Sequence, residues 1–318
     1  MYEIRRAGLK GYGVFAKTRI PRGTRIIAEP PSLLVRSERD VFAAGRRLAP
    51  EDRERLLRLS GNPAQKASVL SWMEVVWHAL TGVDAERARL GTKTSGKKTP
   101  FWKSLAEYPT LLNIFRTNNF DLGTGRQATF SQISRFNHSC IPSAQGNFNT
   151  ALNKFAIHAT RTIDAGEEIT LSYLAEQLAG RDSRREKLRV AYGFLCECGV
   201  CTTESARARA SEVRRVALQD KLRIFAEEGA ELAGSRLEME FNLTMDLIAL
   251  YEAEGLAGRE LSTTYLGAAE LAVKLNRTDD AEDLARKGLQ IEKDCLGSDS
   301  PLYHESVARM EKLRSPNY

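Results

Sequence analysis

The chain has 318 residues, enough for about two domains at roughly 150 residues each. Its composition, 42% hydrophobic and 28% charged, excludes wholesale disorder, a collagen-like repeat and a small disulfide-stapled scaffold. A net charge of +6 is too small for a protein that lives on a phosphate backbone. The longest apolar stretch, residues 69–80, is interrupted by Glu74 and is too short to span a bilayer. The opening Met-Tyr-Glu-Ile-Arg-Arg has no apolar core of the signal-peptide kind, so a cytoplasmic and/or nuclear protein is expected.

Residues 1–35 alternate short apolar runs with turn signals. Gly11-Tyr-Gly13, Val14-Phe-Ala16, Pro21-Arg-Gly23, Ile26-Ile27-Ala28 and Pro30-Pro31 follow in turn, a texture of short strands. Residues 36–117 change character: Pro50 to Leu59 and Ala67 to Leu80 have helical spacing, so this part is expected to be a helical insert. It contains a basic loop, residues 85–103, with six basic residues against one acidic. A second basic cluster, Arg207, Arg209, Arg214 and Arg215, stands where a later helix begins. Both are expected to be solvated surface; the sharper alternative is a landing patch for an acidic partner or nucleic acid.

Strand texture returns over residues 118–178, around Phe155-Ala-Ile157 and Glu168-Ile-Thr-Leu-Ser-Tyr173. A short cysteine-rich segment, residues 179–203, follows, and residues 204–318 read as helical throughout. Ala281, Leu284, Ala285, Gly288, Ile291 and Cys295 fall on one helix face, after Asp279-Asp280 and before Gly297 and Pro301. With Leu261 to Asn276 they make a helical hairpin of tetratricopeptide-like length.

Five cysteines do not suggest a disulfide framework. The spacing Cys196-x-Cys198-x-x-Cys201 lets three thiolates converge on one ion, and a closed zinc site needs a fourth ligand. Cys140, Cys295 and the four histidines are the candidates. Cys295, on the apolar helix face, is better explained as a small core residue. Spacing alone leaves Cys140 and His138 both open.

Gly11-Tyr-Gly13, Asn137-His-Ser-Cys140-Ile-Pro142, Gly166-Glu-Glu-Ile-Thr-Leu-Ser-Tyr173 and Tyr192-Gly-Phe-Leu-Cys-Glu-Cys-Gly-Val-Cys201 occur in that order. The chain thereby resembles a SET-domain lysine methyltransferase, nearest the SMYD-like subgroup. The likeness covers residue 1 to about residue 203. It implies an α+β fold: small SET-domain β-sheets around a threaded, knot-like loop, a helical insert, a zinc-bound post-SET segment, then an all-α C-terminal domain. No cysteine precedes Cys140, so the subgroup's MYND zinc finger is absent and a second zinc site is not expected. Ser143 stands where the family motif ends in Asn, and the missing amide is expected to cost a loop hydrogen bond of roughly 0.5–1.5 kcal/mol.

The resemblance implies that S-adenosylmethionine (SAM) lies along the backbone of Lys10, Gly11, Tyr12 and Gly13. Asn118, Ser134, Phe136, Asn137 and His138 match positions that hold its methionine and adenine portions, and Phe194 matches the aromatic that stacks on adenine. Cys140, Cys196, Cys198 and Cys201 match the zinc ligands. Tyr173 is the expected catalytic tyrosine, in contact with the methyl group, and Tyr192 the wall of the lysine channel. Methyl transfer needs no imidazole, so His138 is read as an organiser of its loop. Glu167 and Glu168, adjacent on a strand, point to opposite faces and form no carboxylate dyad.

The expected activity is SAM-dependent N-methylation of a protein lysine. The alternatives are a catalytically weak SET-fold scaffold that binds partners through its helical domain, and a methyltransferase acting on a small-molecule amine.

Overall fold

The computed structural model of the chain describes residues 1–65, 73, 99–202, 205–228 and 236–313. Strands β1 (Tyr2–Arg6), β2 (Tyr12–Ala16), β3 (Arg25–Glu29) and β4 (Leu33–Val35) come first. Helices α1 (Val41–Arg47), α2 (Pro50–Leu57) and α3 (Phe101–Asn118) follow. Then come β5 (Phe120–Asp121), β6 (Gln127–Thr129), β7 (Asn137–His138), β8 (Ala144–Asn149), β9 (Lys154–Ala159) and β10 (Glu168–Leu171). Helix α4 (Arg181–Tyr192) leads to α5 (Ala206–Glu228), α6 (Arg236–Glu254), α7 (Arg259–Lys274), α8 (Thr278–Leu296) and α9 (Pro301–Leu313). The expected helix over Ala67 to Leu80 and the basic loop up to residue 98 lie outside the described residues, Met73 apart.

The strands form three small sheets, ordered β1-β2-β10-β7, β3-β9-β8 and β4-β6-β5. The first carries the site. Strand β10 runs antiparallel to β2, with Ile169 opposite Val14, and parallel to β7, with Thr170 opposite Asn137 and Leu171 opposite His138. A parallel neighbour needs a crossover; here the chain leaves β7, makes the β8–β9 hairpin and returns as β10. Val14, Ile133, Phe136, Ile157, Ile163 and Ile169, all at most 1% exposed, fill the space between the sheets. Each such side chain contributes about 1.5–3 kcal/mol by leaving water.

The insert has its own core. Tyr108, Leu111, Leu112 and Phe115 on α3 repeat at helical spacing and pack on Phe42, Leu56 and strand β4. In the C-terminal part, α7 and α8 pair along the face the sequence marks, with Ala281, Leu284, Ala285, Gly288, Ile291 and Cys295 all buried. Helix α8 then packs across β8 and β9. That junction is polar as well as apolar: Arg22 pairs with Asp294 at 2.6 Å, and Arg25 pairs with Asp299.

The second basic cluster divides: Arg207 and Arg209 are exposed, as the sequence reading expects, whereas Arg214 and Arg215 correct it. Arg215 is fully buried, ion-paired at 2.9 Å with Glu254, which is also buried, and it donates to the Gln177 carbonyl. Arg214 reaches the other oxygen of Glu254 at 2.6 Å. Neither is free surface, because a carboxylate buried in α6 draws both guanidiniums inward. Among the described residues, no helix is long and apolar enough to cross a membrane.

Candidate active site and metal centre

Tyr173 stands two residues beyond β10, so the β10–β7 register sets it beside His138. Its backbone N–H donates to His138 Nδ1 at 3.0 Å, and its hydroxyl donates to the Phe136 carbonyl at 2.6 Å. Its ring centroid lies 4.8 Å from Tyr192, 5.3 Å from His138 and 6.4 Å from Phe194. Phe194 in turn lies 6.1 Å from His138 and 6.4 Å from Tyr192. Four rings from three separate segments thus meet in one cluster. Burial pushes the Tyr173 phenol above its ordinary range, and the Tyr192 phenol likewise. Both stay protonated. Because the Tyr173 hydrogen is given to Phe136, its oxygen is left with lone pairs to offer.

His138 is 5% exposed. Since Nδ1 accepts from Tyr173, the ring proton sits on Nε2, which faces Cys140 Sγ at 3.4 Å. Burial pulls its pKa down to about 4, so it is a neutral organiser at physiological pH. Phe136 contributes its carbonyl, while its ring, 1% exposed, belongs to the core.

The opposite side of the site is polar. Lys10 pairs with Glu168 at 3.0 Å, and the other Glu168 oxygen accepts from Asn137 Nδ2 at 2.7 Å. Asn137 Nδ2 also lies 3.1 Å from the Tyr12 carbonyl. A Cβ on Gly13 would come within 2.6 Å of Glu168 Oε1 and 2.9 Å of Asn137 Nδ2, so only glycine lets these strands close on one another. Tyr12 is half exposed between the guanidiniums of Arg6 and Arg135. Gly11 faces Ser60 Oγ, Asn118 Nδ2 donates to the Ser60 carbonyl at 2.7 Å, and Ser134 Oγ lies 3.4 Å from the Asn118 carbonyl.

The sulfur atoms of Cys140, Cys196, Cys198 and Cys201 all lie within 4.8 Å of one another. Cys140 Sγ is 3.9 Å from Cys196 Sγ and 3.5 Å from Cys201 Sγ. Tetrahedral zinc with bonds of about 2.3 Å spaces its sulfurs roughly 3.8 Å apart, so the donor set fits that ion. Of the two candidate fourth ligands, Cys140 joins the cluster and His138 stands behind it. Arg184 supports the same assignment. It is fully buried, and its partners are the Ala179 and Val200 carbonyls and Cys201 Sγ, with no carboxylate among them. A buried guanidinium needs a negative partner, and a tetrathiolate zinc centre is one. Arg184, Leu188 and Tyr192 share one face of α4, so the helix that delivers Tyr192 is seated on the cysteine cluster. Cys295 is fully buried in the C-terminal helices, apart from the cluster.

Three residues matter here that the sequence reading missed or misjudged. Glu168 joins Lys10 to Asn137, a role that its place in the Gly166–Tyr173 motif does not disclose. Glu29, 7% exposed, accepts from the backbone N–H groups of Ser131, Gln132 and Ile133 and fixes the turn that leads to Asn137. Ser143 does not forfeit the expected hydrogen bond: its hydroxyl accepts the Thr170 N–H at 3.1 Å. The shorter side chain reaches because β10 passes directly beside it.

Antiparallel and parallel neighbours on one central strand, a chain returning past Asn137-His-Ser-Cys140, and an aromatic cluster backed by four thiols define a SET-type domain. Residues 11–174 match the family described as SET domain, and the chain belongs to that family. It is 26% identical over 321 aligned residues, 99% of its own length and 85% of its relative's, to histone-lysine N-methyltransferase set5 of Schizosaccharomyces pombe. It is 31% identical to human N-lysine methyltransferase SMYD2 over 33% of the chain and 23% of that protein. Human histone-lysine N-methyltransferase SMYD3 is 34% identical over 31% of the chain and 22% of that protein. Among solved structures, Rubisco LSMT bound to AdoMet aligns with 98% of the chain and 88% of its own, at TM-score 0.35 and 14% identity.

Proposed function

We propose that the protein is a SAM-dependent protein lysine N-methyltransferase, with Tyr173 as its catalytic tyrosine and one structural zinc ion on Cys140, Cys196, Cys198 and Cys201. The observation that carries this reading is the cluster of Tyr173, Tyr192, Phe194 and His138, together with the Lys10–Glu168–Asn137 linkage that ends at the residue before His138. SAM supplies a methyl group on a sulfonium. Lys10, Asn137 and the backbone from Gly11 to Gly13, with Asn118 and Ser134 beyond them, would hold its polar portions, and Phe194 would face its adenine.

The acceptor must be a neutral amine, although a lysine in water has a pKa near 10.4. Tyr173, Tyr192 and Phe194 exclude water and disfavour the ammonium form. With its own proton given to Phe136, the Tyr173 oxygen accepts an N–H of the incoming amine and turns the nitrogen lone pair toward the methyl group. Holding the reacting atoms about 3–3.5 Å apart in this way supplies roughly 7–11 kcal/mol. No side chain needs to remove the lysine proton at the moment of transfer, which suits a His138 that stays neutral.

The substrate class proposed is a protein carrying an accessible lysine, histone or non-histone. Incubating the protein with methyl-labelled SAM and fractionated extract, then locating the label by mass spectrometry, tests the reading. Label on lysine Nζ of a protein supports it. Tight SAM binding with no transfer favours the scaffold, and label confined to small amines favours the third alternative.

A further inference from the structure

The last carbonyls of a helix have no partner within it. In α4 the Gly193 N–H takes the Arg189 carbonyl at 3.0 Å, which leaves the Val190 and Ala191 carbonyls open. Both are capped from outside, by a loop of the insert. Asn62 Nδ2 donates to Val190 O at 3.1 Å, and Gln65 Nε2 donates to Ala191 O at 3.0 Å. Tyr192 and Phe194 flank Gly193, the residue that caps α4.

We infer that Asn62 and Gln65 are positioning residues that set where Tyr192 and Phe194 stand in the site. Asn62 is fully buried, and all of its polar groups are occupied. Its N–H donates to Thr117 Oγ1 at 3.0 Å, its Oδ1 accepts the Ala64 N–H at 3.0 Å, and its carbonyl accepts Asn113 Nδ2 at 2.8 Å. Asn113 Nδ2 reaches the Gln65 carbonyl as well, at 2.7 Å, so the loop is fastened to α3 at both capping residues. Gly193 completes the joint. It sits at φ +79°, and a Cβ there would come within 2.6 Å of Asn62 Oδ1. The chain can therefore turn toward Phe194 only against the Asn62 amide.

The other edge of the same loop touches the polar side of the site, where Asn118 Nδ2 meets the Ser60 carbonyl and Gly11 faces Ser60 Oγ. One loop from Ser60 to Gln65 thus spans from the glycine turn to the end of α4. It spaces Phe194 from Gly11 and Asn118, the groups between which the cofactor would lie. That consequence for cofactor affinity rests on the methyltransferase reading, whereas the capping of α4 does not.

Gln65→Glu and Asn62→Asp in the full chain keep side-chain shape and replace a donor by an acceptor facing a carbonyl. Gln65→Lys restores a donor at position 65. Hydrogen–deuterium exchange and binding of S-adenosylhomocysteine are measured on each. Exchange of the amides from Tyr192 to Cys196 should quicken about tenfold in both acidic variants, with β1 and β2 unmoved. S-adenosylhomocysteine should bind about tenfold more weakly, the loss expected for one hydrogen bond of roughly 1.4 kcal/mol. Gln65→Lys should return both quantities toward wild type. If the buried Asn62→Asp fails to fold, the half-buried Gln65→Glu decides. Unchanged exchange overturns the cap, and quickened exchange with unchanged affinity overturns the positioning role. A wild type that binds no S-adenosylhomocysteine sinks the methyltransferase reading, and exchange alone then decides the cap.

Discussion

The SET half and the C-terminal helices are built on opposite plans. In the C-terminal half, α7 and α8 are near neighbours in sequence, and their contacts follow from apolar residues at helical spacing. In the SET half, the groups that meet come from far apart: Tyr173 bonds to His138 and Phe136, Glu168 pairs with Lys10, and Cys140 lies beside Cys196 and Cys201. The helical half is held chiefly by apolar burial, which tolerates small shifts. The SET site is held by directional contacts at its polar and sulfur atoms, which do not. The difference teaches where a perturbation should change chemistry and where it should change only stability.

The sharpest way to separate the halves is to remove the metal. Structural zinc contributes free energy on the order of 10–16 kcal/mol in small zinc domains, more than any other single element considered. Cys140→Ser, or stripping with a strong chelator, should release residues 196–201 and α4 from the Asn137–Cys140 loop. SAM affinity should fall by about ten- to a hundredfold, while helical circular dichroism from α5 to α9 persists. Metal analysis should give about one zinc per chain before treatment. A fully active, metal-free protein breaks the comparison.

A stability effect without a chemical one is expected at Glu254. Glu254→Ala leaves Arg215 buried without its carboxylate, a loss of about 3–5 kcal/mol. The melting temperature should drop by many degrees, while SAM affinity per folded molecule, read by calorimetry below the transition, stays within about twofold of wild type. A large affinity loss in the folded protein would show that the helical half shapes the cofactor site directly.

His158 joins the two halves. It is 1% exposed, accepts from Arg25 Nε at 3.1 Å, and lies beside the Arg25–Asp299 pair. Burial and then Arg25 lower its pKa to about 4, against an ordinary value of 6.5. The unfolded chain therefore takes up this proton first as pH falls. Stability is complete above about pH 6.5 and declines between there and pH 4, by up to roughly 3 kcal/mol from this group. Denaturant melts from pH 7 to pH 4 should show the decline, and His158→Gln should flatten it.

The same contrast explains what could be read from the sequence. Ala281, Leu284, Ala285, Gly288, Ile291 and Cys295 announce a buried helix face because a helix core is written in one local period. The SET half shows its short strands in the local texture, but its site only through motifs, which name Asn137, Cys140 and Tyr173 without saying how β10 is threaded beside β7. Charge was the least legible feature. Arg214 and Arg215 look like surface until Glu254, about 40 residues on, is found buried against them. Arg184 reads as one more basic residue of α4 until the sulfur cluster appears beside it. The capping of Val190 and Ala191 by Asn62 and Gln65 spans more than 120 residues and leaves no local signature.

The measurement closest to the central claim is Tyr173→Phe, assayed for turnover and SAM affinity on one preparation. The substitution keeps the ring among His138, Tyr192 and Phe194 and removes the hydroxyl that bonds to Phe136. Turnover should fall at least about tenfold, equivalent to roughly 1.4 kcal/mol of lost transition-state stabilisation. KM for the protein substrate should move less than kcat, SAM affinity should hold, and the melting temperature should fall by only a few degrees. A Tyr173→Phe protein that is destabilised yet turns over like wild type would contradict the account, and would leave this tyrosine as a strap between β10 and the Phe136 carbonyl.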